Sequence, residues 1–282
     1  MAAKRLKPDN ATTIPVTLTA RERISPSFLR LTLTGEKLAN YQVMGADQWF
    51  RLFLPTEADG RTKGRADGHT DGRAGEVKTL PDMGVRSMAS YALSPPSRRP
   101  LIRNYTTAEF RPADPAAGRA TAELDFDVYV DDSHTGPGLR WALDAALGSP
   151  AALLDEGRLY APPARPAVEL LVGDESALPA LAGILRDAPP ELTGVVVVEV
   201  KNQGDVRDLP GPSGVEVAWE IRGDDDDPGA RAAAHVRERG VPDGLTYSYL
   251  AGPSSMVTGL RRFLVRDSGV PKDLVSFTGY WR

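Results

Sequence analysis

Val168-Glu-Leu-Leu-Val-Gly-Asp-Glu-Ser-Ala-Leu-Pro-Ala-Leu-Ala-Gly-Ile-Leu-Arg186 decides the fold. Val168 to Val172 is a short apolar run of strand character. From Ser176 to Arg186 the apolar residues return at helical spacing. A strand that turns at once into a helix is half of a βαβ unit, and the pattern repeats downstream. Val195-Val-Val-Val-Glu-Val200 predicts a strand buried on both faces, since it does not alternate. Val215 to Ile221 is a third strand, and Ala230 to Arg239 is a helix stopped by Gly240. Tyr247 to Ala251 is a strand. Ser254 to Arg266 is a helix with Ser254 or Ser255 as its N-cap and Gly269 past its end, and Leu274 to Tyr280 is a last strand. Alternating strands and helices predict a parallel α/β sheet over residues 167–282. Asp224 to Asp227, followed by Pro228, reads as a solvated acidic turn.

Upstream, the pattern changes. Pro162-Pro-Ala-Arg-Pro166 reads as a stiff linker. Before it, Ile14 to Thr19, Phe28 to Thr34 and Gln48 to Leu54 alternate apolar and polar residues, as half-buried strands do. Arg103 to Phe110 and Glu123 to Val130 add two more. Residues 1–163 are therefore expected to form an antiparallel β-barrel or sandwich. Residues from about 56 to 90 are rich in glycine and charge and read as a flexible insertion, with His69 inside it carrying no role. A β-barrel followed by a parallel sheet is the plan of ferredoxin-reductase-type flavoproteins, with flavin on the barrel and nicotinamide on the sheet. Plan alone is analogy.

Composition narrows the chemistry. The 282 residues contain no cysteine, which excludes disulfides, iron–sulfur clusters and thiol catalysis. His69, His134 and His235 are too scattered for a histidine metal site. A net charge of -4 argues against a nucleic-acid surface. The start has no signal-peptide core, and no run approaches the roughly 18 apolar residues of a membrane span, so the expected location is the cytoplasm.

Four short motifs carry chemistry. Arg103-Asn-Tyr-Thr106 places a guanidinium, suited to phosphate, near a tyrosine that can pack on a planar ring and a threonine that can meet a ring nitrogen. Strand alternation would put Arg103 and Tyr105 on one face and Asn104 and Thr106 on the other. The tetrapeptide alone also fits a strand with an exposed arginine. Gly136-Pro-Gly-Leu-Arg-Trp-Ala142 is a glycine turn opening a helix, whose free N–H groups attract anions, or a plain connection with Trp141 in the core. Gly173-Asp-Glu-Ser-Ala-Leu-Pro-Ala180 lies at the carboxyl end of a parallel strand, where such sheets bind ligands, although Ser176 could simply cap the helix. The G-x-G-x-x-G pattern is absent there, and Asp174 and Glu175 would repel a pyrophosphate placed close by. Thr278-Gly-Tyr-Trp-Arg282 ends the sequence with two aromatics able to cover a ring or to latch the strand.

In this order and spacing, the four motifs resemble the siderophore-interacting protein family, bacterial ferric-siderophore reductases. The family shows R-x-Y-T, H-G-x-x-G-P-x-x-x-W-A, G-D-E-T-A-L-P-A and G-Y-W-R. This chain has R-N-Y-T at 103–106, G-P-G-L-R-W-A at 136–142, G-D-E-S-A-L-P-A at 173–180 and G-Y-W-R at 279–282. The resemblance implies FAD on the barrel, with Arg103 on its phosphates and Tyr105, Thr106 and Thr107 along the isoalloxazine. Gly136 and Pro137 would face the pyrophosphate, with Trp141 behind them. Asp174, Glu175, Ser176 and Ala177 would approach from the second half, and Tyr280 and Trp281 would cover the ring or the adenine. The chain departs from the family at Asp132-Ser133, where the family has His-Gly. A carboxylate there weakens a diphosphate site unless Asp132 turns to a ribose hydroxyl. Ala251-Gly-Pro253 likewise replaces a family Ala-Gly-Glu.

The resemblance implies hydride transfer from NAD(P)H to the flavin, then single electrons to Fe(III) in a docked siderophore. Arg261, Arg262, Arg266 and Lys272 are candidates for a cationic rim that would meet an anionic chelate, although a charged helix face would look the same. Lys201, after the second strand of the α/β half, would favour NADPH. Alternatives are a ferredoxin donor, a flavoprotein repurposed for an organic substrate in biosynthesis, and a non-catalytic binding module that has lost its flavin.

Overall fold

A computed structural model describes residues 5–9, 11–55, 100–130, 136–163, 167–224 and 227–282. The expected insertion at about 56–90 with His69, Asp132, His134 and part of the 162–166 linker lie outside the described residues.

The barrel comprises β1 (Thr13–Ser25), β2 (Phe28–Thr34), β3 (Trp49–Leu54), β4 (Leu101–Arg111), β5 (Glu123–Tyr129) and β6 (Pro150–Gly157). It closes in the order β1-β2-β5-β4-β3-β6, all antiparallel. Alternation explains its core. Leu29, Leu31 and Leu33 of β2 point inward, and Leu31 and Leu33 face Phe126 and Leu124 across the ladder. The intervening Arg30 and Thr32 instead bond to Asp127 and Asp125. Strand β6 was absent from the sequence reading, and its burial explains why. Leu153 fills the barrel, while Ala152 and Leu154 pack on Phe53 outside it, so neither face is polar and no period shows. Helix α1 (Pro137–Asp144) follows β5 and packs on the barrel.

The second half has strands β7 (Val168–Gly173), β8 (Thr193–Val200), β9 (Gly214–Ile221), β10 (Tyr247–Pro253) and β11 (Val275–Trp281). They form one parallel sheet in the order β11-β10-β7-β8-β9. Helices α2 (Leu178–Asp187), α3 (Ala230–Arg239) and α4 (Ser254–Arg262) connect them. The valine run of β8 is buried on both faces. Val196 and Val198 join the core beneath α2, and Val195 and Val197 join the core beneath α3 and α4.

Two helix starts differ from expectation. Ser176 does not cap α2, whose N-cap is Ala177 with no side-chain bond; Asp174 caps the short 3-10 turn at Glu175–Ala177 ahead of it, accepting from the Ser176 N–H. The N-cap of α4 is Pro253, because the Ser254 hydroxyl turns to the Trp281 carbonyl at 2.9 Å. The same helix ends earlier as an α-helix than Arg266. From Phe263 it widens into a π turn, closed by Ser268 N–H donating to the Phe263 carbonyl. Among the described residues, no helix is long and apolar enough to cross a membrane.

Candidate active site

A cavity of about 690 Å³ runs between the barrel and the carboxyl ends of the parallel strands, a volume in the usual range for small-molecule sites. Arg103, Asn104, Tyr105 and Thr106 all line it. Alternation would have divided them, but the cavity wraps over β4 at the barrel mouth. The Tyr105 ring packs on Phe126 with centroids 4.7 Å apart, and its burial pushes the phenol up to about 12.

Arg103 lies against the first turn of α1. A Cβ at Gly138 would come within 2.9 Å of Arg103 Cγ, so glycine makes the approach possible. Its Nη1 donates to the Ile102 carbonyl at 2.7 Å. Among the described residues, the helix begins at Gly136 with no side-chain cap, and its first turn holds no acidic residue. An uncapped helix start beside a guanidinium is an anion site. This is the fit expected of a flavin dinucleotide's phosphates.

The opposite wall is acidic and largely self-neutralised. Asp174 is fully buried. Its Oδ1 accepts from Ser176 Oγ at 2.5 Å and its Oδ2 from Trp281 Nε1 at 3.1 Å. Burial, reinforced by neighbouring Glu175, raises its carboxyl to about 7. Glu175 is paired with Arg222 through Nη2 at 2.5 Å, and the same guanidinium binds Glu199 at 2.6 Å. Burial alone would lower Arg222, but the two carboxylates more than offset it and raise it above its ordinary value. Glu199 also accepts from the N–H groups of Gly229, Arg231 and Ala232, and so caps α3. The repulsion expected from Glu175 is therefore largely absorbed within the protein.

Gly136, Asp174, Ser176, Tyr280 and Trp281 line the same cavity. Other expected residues do not. Thr107 bonds to the Tyr41 hydroxyl at 2.7 Å and faces a separate, smaller cavity beside Arg30 and Glu109. Trp141 packs on the barrel core, and Ala177 is fully buried beneath the turn. Pro137 opens α1 without lining the cleft. The expected cationic rim is also displaced. Arg261 lies 4.8 Å over the Phe277 ring, and Arg262 is exposed at the far end of α4. Lys272 precedes β11, at the amino ends of the strands. The cleft lies at the carboxyl ends, so these three cations stand away from it. Trp49, Asp127 and Arg222 line the cleft but were not anticipated. The clue to Arg222 was Glu199, a carboxylate set in an otherwise apolar run.

The siderophore-interacting FAD-binding domain profile matches residues 17–158, and the siderophore-interacting protein profile matches residues 167–282. The ferric vibriobactin reductase ViuB of Vibrio cholerae is 27% identical over 265 residues, spanning 93% of this chain and 86% of that protein. An uncharacterised Mycobacterium tuberculosis protein is 34% identical over 208 residues, 70% of each chain. The siderophore-interacting protein SipS from Aeromonas hydrophila superposes with a TM-score of 0.71 at 25% identity, covering 96% of this chain and 92% of SipS. The Amycolatopsis cytochrome P450 reductase GcoB shares the fold, with a TM-score of 0.62 at 17% identity over 98% of this chain and 72% of its own. The motifs, the two-part architecture and these matches agree: the chain belongs to the siderophore-interacting protein family, with an FAD-binding-type barrel followed by a ferredoxin-reductase-like parallel sheet.

Proposed function

We propose that the protein reduces a ferric siderophore with electrons that pass from a nicotinamide nucleotide through FAD held in the cleft. The observation that carries this reading is the juxtaposition of Arg103 with the uncapped start of α1. Both would hold the FAD diphosphate, while Tyr105 and Thr106 offer a ring-packing surface and a hydroxyl at the barrel mouth. Tyr280 and Trp281 line the same cleft. When bound, FAD accepts a hydride and releases electrons singly, and the protein's part is binding, orientation and electrostatics. Iron enters as part of the substrate, and its reduction weakens the chelate.

The sheet supports a place for the donor. The strand order reverses between β7 and β10, and parallel sheets bind nucleotides at such a switch point. Gly173 and Gly252 flank it. Glu199 already caps the start of α3 and buried Asp174 caps the 3-10 turn that leads into α2, whereas α4 begins with no side-chain cap. We therefore assign donor phosphates to the start of α4. Lys201 pairs with Asp224 at 3.2 Å at the end of β8, where it would meet the extra phosphate of NADPH. We place the reaction in the cytoplasm, where reduced nicotinamide nucleotides are held.

The carboxylate caps favour a second reading, in which a one-electron protein such as a ferredoxin replaces the nicotinamide donor. Anaerobic stopped-flow absorbance of the FAD-loaded protein separates the two. Rapid bleaching by NADH or NADPH, then reoxidation by a ferric chelate with release of trappable Fe(II), is the expected result. Bleaching by reduced ferredoxin alone would establish the second reading. A flavin that no ferric chelate reoxidises would overturn both. Arg103→Ala should weaken FAD binding about 10- to 100-fold, as loss of a charge-assisted hydrogen bond does.

A further inference from the structure

Asp174, Ser176 and Trp281 meet at the cleft wall in a triangle of hydrogen bonds. The Asp174 side chain is fully buried, just past the end of β7. Ser176 Oγ belongs to a partly exposed residue that lines the cavity, and it donates to Asp174 Oδ1 at 2.5 Å. Trp281 Nε1 shares its hydrogen between Asp174 Oδ2 at 3.1 Å and Ser176 Oγ at 3.2 Å. Gly252 of β10 makes room, since a Cβ there would stand 2.7 Å from Asp174 Oδ1.

Proton counting gives the triangle a direction. An ionised carboxylate only accepts, and an indole N–H only donates. The Ser176 hydroxyl therefore spends its one proton on Asp174, and one of its two lone pairs takes the indole. The second lone pair is left for an occupant of the cleft. The indole also decides where an added proton sits on Asp174. It keeps Oδ2 as an acceptor, so the proton lodges on Oδ1, the oxygen that Ser176 faces. A proton arriving at Ser176 from the cleft pushes the serine's own proton onto Oδ1, and every bond of the triangle survives.

The surrounding charges suit this exchange. Burial first, then Glu175 in the same turn and Glu199 of β8, bring the carboxyl to about 7. Arg222, beyond β9, is spent on those two glutamates. Tyr280 of β11 adds a phenol that burial keeps neutral. On the barrel side of the cavity, Asp127 of β5 is held by Arg30. A group with this value can take up and release protons near neutral pH.

We propose that Asp174, acting through the Ser176 hydroxyl, accepts the proton shed in the cleft each time ferric iron reoxidises the flavin. The proposal rests on the flavin reading given above. A hydride equivalent brings two electrons and one proton. The electrons leave singly, one to each of two ferric ions, and the hydrogen left behind departs as a proton. Ser176 Oγ takes that proton while its own passes to Asp174 Oδ1. The proton returns to solvent by the same hydroxyl before the next turnover.

Anaerobic stopped-flow absorbance tests this. FAD-loaded protein is photoreduced, so that no nicotinamide enters, and mixed with ferric citrate between about pH 5 and about pH 9. At about pH 8, Asp174→Asn and Ser176→Ala should each be reoxidised about 100-fold more slowly than the wild type. The ratio of wild-type to Asp174→Asn rates cancels the chelate's own pH behaviour. It should rise with pH through about 7, where Asp174 ionises, and level off above. The midpoint potential of bound FAD supplies a readout at equilibrium. A hydride equivalent adds negative charge, which favours the protonated carboxyl. Just above about pH 7 the wild-type potential should therefore fall with pH by one further proton per two electrons. Ser176→Ala should keep that extra proton and Asp174→Asn should lose it, which separates the relay from the charge it serves. Wild-type rates in either variant would overturn the proposal and leave the flavin reading standing. A rate ratio flat in pH, or an extra proton that persists in Asp174→Asn, would do the same. Ser176→Ala carries the test if Asp174→Asn fails to fold. A wild type that takes up no FAD would remove both readings.

Discussion

Asp174 shows how one residue couples the cleft to stability. Its carboxyl sits at about 7 in the folded protein, against about 4 in an unfolded chain. Between those values the folded state holds a proton that the unfolded state has lost. Stability therefore falls as pH rises from about 4 to about 7, and levels off above. Asp174→Asn should flatten that dependence, so thermal midpoints at about pH 5 and about pH 8 should converge in the variant. An unchanged gap would contradict the assignment. Arg222→Met should act more severely. It would leave Glu175 and Glu199 buried without their cation, a loss of about 3–5 kcal/mol in urea unfolding. Arg103, Tyr105 and Thr106 were legible because their chemistry is concentrated in one tetrapeptide. Arg222 and Asp47 were not, since each acquires its meaning from partners on distant strands. The rim formed from Arg261, Arg262 and Lys272 failed for a related reason: charge is visible in a sequence, but the end of the sheet it occupies is not.

Elements carry the next level of argument. Helix α1 matters for how it begins: its glycines leave the start open and let Arg103 lie across it. Gly138→Ala should therefore separate folding from binding. Alanine favours a helix interior over glycine by about 1 kcal/mol. Its Cβ would nevertheless press on Arg103 at 2.9 Å. The expected outcome is weaker FAD binding, read by fluorescence titration, with no fall in the melting temperature of the flavin-free protein. Strands with one wet face, such as β2, could be read from alternation, and β8 from its unbroken β-branched run. Strand β6 could not, because packing on both sides erases the period and its Asp155-Glu156-Gly157 end reads as a loop. The capping errors at Ser176 and Ser254 share one cause. Several polar residues compete at each helix start, and only tertiary contacts decide which one serves: Trp281 takes Ser254, and Asp174 takes the turn before α2.

Across the whole molecule, alternation of strands and helices announced a barrel followed by a parallel sheet, but strand order and the joint between the halves are set by contacts far apart in the chain. Among the described residues, that joint is tied at several places, three of them centred on aspartates. Asp47 receives Tyr249. Asp205 accepts Ser25 Oγ at 2.6 Å and the Ser27 N–H at 2.9 Å. Asp187 accepts the Ala46 N–H at 2.6 Å, and Arg186 donates to the Ala108 carbonyl at 2.7 Å. Asp205→Ala would leave the buried Ser27 N–H without its acceptor, and should cost about 1–3 kcal/mol in chemical denaturation. Fastened at these points, the described walls of the groove are held at a fixed separation. On the proposed function, a large chelate would be served from outside, presenting its metal at the rim while most of its own periphery stays in solvent. Such a catalyst would discriminate poorly among chelators of different size, and its breadth of acceptance would follow from the stiffness of the joint; comparable turnover of ferric chelates of different bulk is the expected outcome.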